Sequence, residues 1–113
     1  MSARLSSDML VGALIRRVEA AGGHAMVLAK GDKGAGTILV ACAERGQVHA
    51  LLERVPALGG GYEMVRCGPA DAGDSSAVSD YLLRRRKSDP DLWVVELDVA
   101  QAERFAAETI AQG

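Results

Sequence analysis

The sequence predicts an α+β fold in the order α-β-β-β-β-α-β-α. A four-stranded antiparallel meander plus a fifth strand forms the sheet, and three helices pack mainly on one sheet face. Three observations predict it. An amphipathic stripe lies near the N-terminus, four short β-like segments follow between glycine-rich turns, and the last third reads helix, strand, helix around Asp89-Pro90-Asp91-Leu92-Trp93. The 113 residues suffice for one domain, 1–113, with one core.

Residues 9–21 form the first predicted helix, with Val11, Leu14, Ile15 and Val18 on one stripe. Ser7 is its expected N-cap, Asp8 suits the positive helix end, and Gly22-Gly23 supplies a left-handed stop. The strand segments are 24–30, 37–43, 47–55 and 62–67. The loop Gly31 to Gly36 reads as a hairpin connection between the first two, and Glu44-Arg45-Gly46 as a three-residue hairpin loop. The turn Gly59-Gly60-Gly61 precedes the fourth strand, and 68–75 reads as a loop.

Residues 76–88 form the second helix, burying Val78, Tyr81 and Leu82, and Pro90 ends it through the restriction on Asp89. The strand 91–98 places Trp93, Val95 and Leu97 on one face. Asp98-x-x-Gln101 resembles a capping box for a last helix with Ala102, Phe105, Ala106, Thr109 and Ile110 on its stripe.

Register then sorts the sheet. One face collects Ala25, Val27, Ala29, Ile38, Val40, Cys42, Val48, Ala50, Leu52, Val65 and Cys67, whose small side chains suit close helices. The other collects His24, Met26, Leu28, Leu39, Ala41, His49, Leu51, Glu53, Tyr62, Met64 and Arg66. This second face has an apolar centre and a polar border, so it reads either as an interaction surface or as a face covered by one helix.

Composition narrows the function. The net charge is −2, which gives no global attraction to nucleic acid or anionic lipid. No apolar run approaches the ~18 residues of a membrane span. Met1-Ser2-Ala3-Arg4-Leu5 carries no apolar signal core, so the cytoplasm is the expected compartment. Cys42 and Cys67 read as core thiols. His24 and His49 stand too far apart to share a metal, and no HxxxH, HExxH or CxxC spacing occurs. No metal or cofactor is called for. His49, Arg66 and Glu53 could meet as a polar cluster, and Glu96 and Asp98 share a strand face as a loose start for Mg²⁺. The glycines of 31–36 lie between strands with no Gly-Lys-Ser/Thr, which argues against a phosphate loop. No nucleophile motif is present, so an enzyme is not expected. Arg84-Arg85-Arg86-Lys87 steps through about 300° of helix and presents no single basic face, with Arg85 on the buried stripe.

Ala13-Leu14-Ile15-Arg16-Arg17-Val18-Glu19-Ala20-Ala21-Gly22-Gly23, Lys30-Gly31-Asp32, and Asp89-Pro90-Asp91-Leu92-Trp93-Val94-Val95-Glu96-Leu97-Asp98 with Glu103-Arg104-Phe105 resemble a small bacterial family. It is the alphaproteobacterial domain of unknown function 1491, and the resemblance spans nearly the whole chain. It implies a stand-alone cytoplasmic protein with no catalytic residues to carry over. The order of strands, helix, Leu92–Asp98 and an Ala/Phe-rich helix is also similar to the latter half of GCN5-related N-acetyltransferases. There a glycine-rich turn binds the coenzyme A pyrophosphate, whereas Arg66-Cys67-Gly68-Pro69-Ala70 is short and Pro69 lacks a donor.

The function expected is a non-enzymatic interaction protein, binding a protein partner or itself as a homodimer. It would act through the mixed face or a sheet edge, with Met26, Leu39, Leu51, Met64 and Leu83 as interface residues. One alternative is anion or nucleic-acid binding through Arg16, Arg17, Arg84, Arg86 and Lys87. The other is acyl transfer with coenzyme A.

Overall fold

The computed structural model describes residues 5–111. Its elements are α1 (Ser7–Ala20), β1 (His24–Ala29), β2 (Ile38–Glu44), β3 (Gln47–Pro56), β4 (Tyr62–Arg66), α2 (Ser75–Ser88), β5 (Trp93–Asp98) and α3 (Ala102–Ala106), which continues into a π-helical turn, Ala107–Ala111. The α+β class and the order of elements are those the sequence predicts.

The sheet order is β1-β5-β2-β3-β4. Strand β5 runs antiparallel to β1 and parallel to β2, so only β2, β3 and β4 form the meander and β1 is set apart from it. The reason is burial. Leu92 to Val95 and Leu97 are all at most 4% exposed, a run that needs cover on both faces and takes a central place. The segment 30–37 therefore arches over the start of β5 instead of closing a hairpin. Asp32 N–H donates to the Asp91 carbonyl at 3.0 Å, and Trp93 donates through Nε1 to the Asp32 carbonyl at 2.7 Å. A Cβ at Gly31 or Gly36 would collide with the Asp91 carbonyl oxygen, so glycine is required at both.

Helices α1 and α3 share one sheet face. Leu10, Val11, Leu14 and Val18 of α1, with Ala102, Ala106 and Ile110 behind them, pack on Ile38, Val40, Cys42, Ala50, Leu52, Trp93, Val95 and Leu97. Helix α2 lies on the other, where Val78, Tyr81 and Leu82 pack against Leu39, Ala41, Leu51, Leu92 and Val94.

Several local expectations change. Ser6, not Ser7, is the N-cap position of α1, and the buried Ser7 hydroxyl donates to the Gly36 carbonyl at 2.6 Å. Gly22 adopts the expected left-handed conformation, φ 87°, and Gly23 N–H reaches back to the Val18 carbonyl. Glu44 pairs with Gln47, so the β2–β3 turn has two central residues, Arg45 and Gly46, both with positive φ. Asp98 does not cap α3. Its carboxylate accepts the turn N–H groups of Arg45 at 2.8 Å and Gly46 at 2.7 Å, while Gln101, itself left-handed, precedes α3.

The face assignments hold for β2 and for Ala50, Leu51 and Leu52. They fail beyond a bulge between Cys42 and Ala43, where Val48 turns toward α2 and His49 toward α3. Strand β4 is one residue out of the expected register. Leu52 pairs with Arg66, so Met64 packs on the α1 side and Cys67 on the α2 side.

Candidate interaction surface

Helix α2 leaves the β1 end of its face open. Val78 is the one fully buried side chain of the helix, Tyr81 and Leu82 are half-buried beside it, and polar contacts fix the rest. Arg85 points inward and pairs with Glu53 at 2.7 Å and the Tyr81 hydroxyl at 2.7 Å. Arg86 donates to the Pro90 carbonyl at 2.6 Å and the Leu92 carbonyl at 2.7 Å, locking the helix end to the start of β5. Asp74 caps the other end by accepting from Ala77 N–H.

Between α2 and β1 runs a groove. Leu28, Ala29 and Val94 face Ser79, Leu82, Leu83 and Arg86 across a volume of about 340 Å³. It continues past Leu28 and Leu82 into a hollow of about 470 Å³ over Ala41, Val48 and Glu96. Beyond it, His24, Met26, Glu96 and Asp98 border a further depression at the sheet edge. Met26, Val27, Leu28 and Leu83 are 60%, 38%, 45% and 70% exposed along this margin. Leu28 keeps the face expected of it, and a bulge between Val27 and Ala29 brings Ala29, expected on the opposite face, into the groove beside it. The margin has an acidic end, Glu96 and Asp98, and a basic end, Lys30 and Arg86. Neither Lys30 nor Glu96 has an ion pair among the described residues.

The five expected interface residues are thus divided. Met26 and Leu83 are on this margin. Leu39 and Leu51 are not surface residues, because α2 covers them to 0% and 1% exposure. Met64 is half-buried on the opposite face. Leu28 and Val27 were not singled out by the sequence. The signal available was a strand, His24–Ala29, that is apolar on both faces and contains no acid, lysine or arginine.

The five cations expected to bind anions do not converge. Arg16 and Arg17 are on α1 and Arg84, Arg86 and Lys87 on α2, across the sheet. Arg17 already holds Glu108 at 3.1 Å and Thr109 at 2.7 Å, and Arg86 is engaged by carbonyls. The polar cluster expected around Glu53 splits. Glu53 meets Arg85 below α2, whereas His49 and Arg66 reach Glu103 of α3 at 3.6 and 3.3 Å.

Cys42 and Cys67 lie on opposite faces. Burial pushes the Cys42 thiol up to about 12, with Glu103 adding to the effect. Burial also raises Cys67, against a lowering hydrogen bond from Tyr81. Both are therefore held as thiols, and neither is an activated nucleophile at neutral pH. Among the described residues no group of three or more His, Cys, Asp or Glu could hold a metal ion, and no helix is long and apolar enough to cross a membrane.

Comparison with known proteins gives a family and no activity. The family model "Protein of unknown function (DUF1491)" matches residues 5–107. A crystal structure of a DUF1491 family protein from Caulobacter crescentus CB15 is 33% identical, with a TM-score of 0.78, over 90% of this chain and 94% of that one. The solution structure of protein Atu0922 from A. tumefaciens is 32% identical, with a TM-score of 0.73, over 98% of each chain. Among curated proteins no match was found. The family match over most of the length, with two full-length structural relatives above 30% identity, means that this chain belongs to the DUF1491 family.

Proposed function

We propose that this chain is a non-enzymatic, cytoplasmic protein-interaction module that docks a protein partner along β1 and the groove beside α2. One observation carries the reading. Met26, Leu28 and Leu83 stay exposed together on the α2 side of an edge strand and on the helix facing it, with Val27 exposed on the other face of the same strand. A row of unpaired strand backbone beside an apolar groove is a template for strand addition, and folded proteins usually blunt such edges with charge. The rim, formed by Ser79, Arg86 and Glu96, is polar, as interface margins are. The two protonated thiols, on opposite faces of the sheet, support the cytoplasmic assignment and a role without covalent chemistry.

The test is a pair of surface variants. Met26→Lys and Leu83→Lys should fold normally by circular dichroism and lose a stoichiometric protein partner that the wild-type chain retains on mild purification from its native cells. Retention of the same partner by both variants would refute the docking surface.

A further inference from the structure

We infer that the occupant of this margin is a second copy of the chain, with the two β1 strands paired antiparallel about a twofold axis at Val27. The inference rests on the docking reading above and names its partner. Strand β1 is an edge, bonded only to β5, and between Ala25 and Ala29 it carries no charge to oppose its own copy. The other edge, β4, carries Glu63 and Arg66.

The side-chain parity suits this axis. Met26 lies on the α2 side, because it pairs with Glu96, which in turn pairs with Ala41 of the α2 face. Leu28 is on that side too, since it lines the groove. An axis at Val27 sets Met26 against Leu28 of the second copy, twice, and Val27 against itself on the other face. Directly opposed apolar pairs of this kind stabilise a sheet.

Charge selects the same arrangement. Antiparallel pairing brings Lys30 of the second copy, one residue beyond the strand and past its bulge, to the His24–Met26 end of β1, whose β5 partners are Asp98 and Glu96. Two strand spacings separate the second copy's β1 from β5, about 10 Å between Cα atoms, a gap that a lysine and the Glu96 carboxylate span, the Asp98 carboxylate being held by the β2–β3 turn. The acidic end of one margin thus meets the basic end of the other at both ends of the interface. An isologous contact requires such self-complementarity. The product is one continuous sheet across two chains, with both α2 helices on the same side and their grooves joined.

Cross-linking reads the register. In a Cys67→Ser background, Val27→Cys puts two thiols on the axis, where facing Cα atoms are about 4.5–5.5 Å apart, within disulfide reach. His24→Cys separates its pair by about 20 Å. Mild oxidation should link the Val27→Cys chains and leave the His24→Cys chains unlinked. Sedimentation equilibrium of the wild-type protein should give twice the 11.8 kDa chain mass, and Met26→Lys should weaken the dimer at least about tenfold. A wild-type monomer up to about 1 mM, or equal cross-linking at both positions, overturns the inference. If the chain is monomeric yet Met26→Lys and Leu83→Lys still abolish a complex with another protein, self-pairing fails and the docking surface stands. If neither substitution alters either property, both fail.

Discussion

The two faces of the sheet are built on different principles. On the α1 side the packing is apolar and sealed: Leu14, Val18, Val40, Val95, Leu97 and Ile110 are all at 0% exposure. On the α2 side one helix, anchored by a single fully buried side chain, is clamped by Arg85 and Arg86 and leaves a groove along β1. The apolar free energy of folding is concentrated on the first face, because burial of this kind scales with the area removed from water. The second face completes the core over β2 and stops short of the edge. That difference leaves the margin open to a partner without cost to the core.

Core truncations should break the symmetry between faces most strongly. Leu14→Ala should cost about 2–5 kcal/mol by urea denaturation, while Val78→Ala, removing two methyl equivalents, should cost about 1.5 kcal/mol. Equal losses would contradict the comparison. Next comes the arch over β5. Gly31→Ala should cost about 1–3 kcal/mol from the collision with Asp91. Gly34→Ala, whose Cβ would meet only the Asp32 carboxylate at 3.5 Å, should fall within about 0.5 kcal/mol of wild type.

The α2 clamp sharpens the comparison further. Arg85→Met leaves the Glu53 carboxylate and the Tyr81 hydroxyl half-buried without their cation, a loss of about 1–3 kcal/mol. Adding Glu53→Leu should recover part of it, since removing both partners is milder than removing one. The smallest effect is alkaline. The folded Cys42 thiol is raised from 9.0 to about 12, so its protonated form contributes stability that is full below pH 9 and declines as pH rises toward 12. Cys42→Ala should flatten that alkaline limb in pH-dependent melting. An unchanged slope would place the thiol in water.

Much of this was legible in the sequence, and the failures have specific causes. The stripe Val11, Leu14, Val18 and the strand Trp93, Val95, Leu97 predicted the sealed face correctly, because period 3.6 and period 2 report burial directly. The place of β5 was not read, although its run of consecutive apolar residues carried the signal of a central strand. Once β5 entered between β1 and β2, the hairpin reading of 30–37 failed with it. The β4 register slipped because the turn of residues 57–61 sets Pro56 opposite Tyr62, and alternation along the strands does not report how many residues a turn takes up. Leu39 and Leu51 were read on the correct face, yet α2 covers them. Its stripe is short, and its attachment depends on arginines that composition marks as surface.

Native-state hydrogen exchange of the chain at high dilution tests the division of the two faces most directly. The account predicts that amides of α1, β2 and β5 exchange only through global unfolding, while those of α2 and β1 exchange through smaller openings of markedly lower free energy. Protection of α2 and β1 equal to that of α1 would show one uniformly sealed core and contradict it.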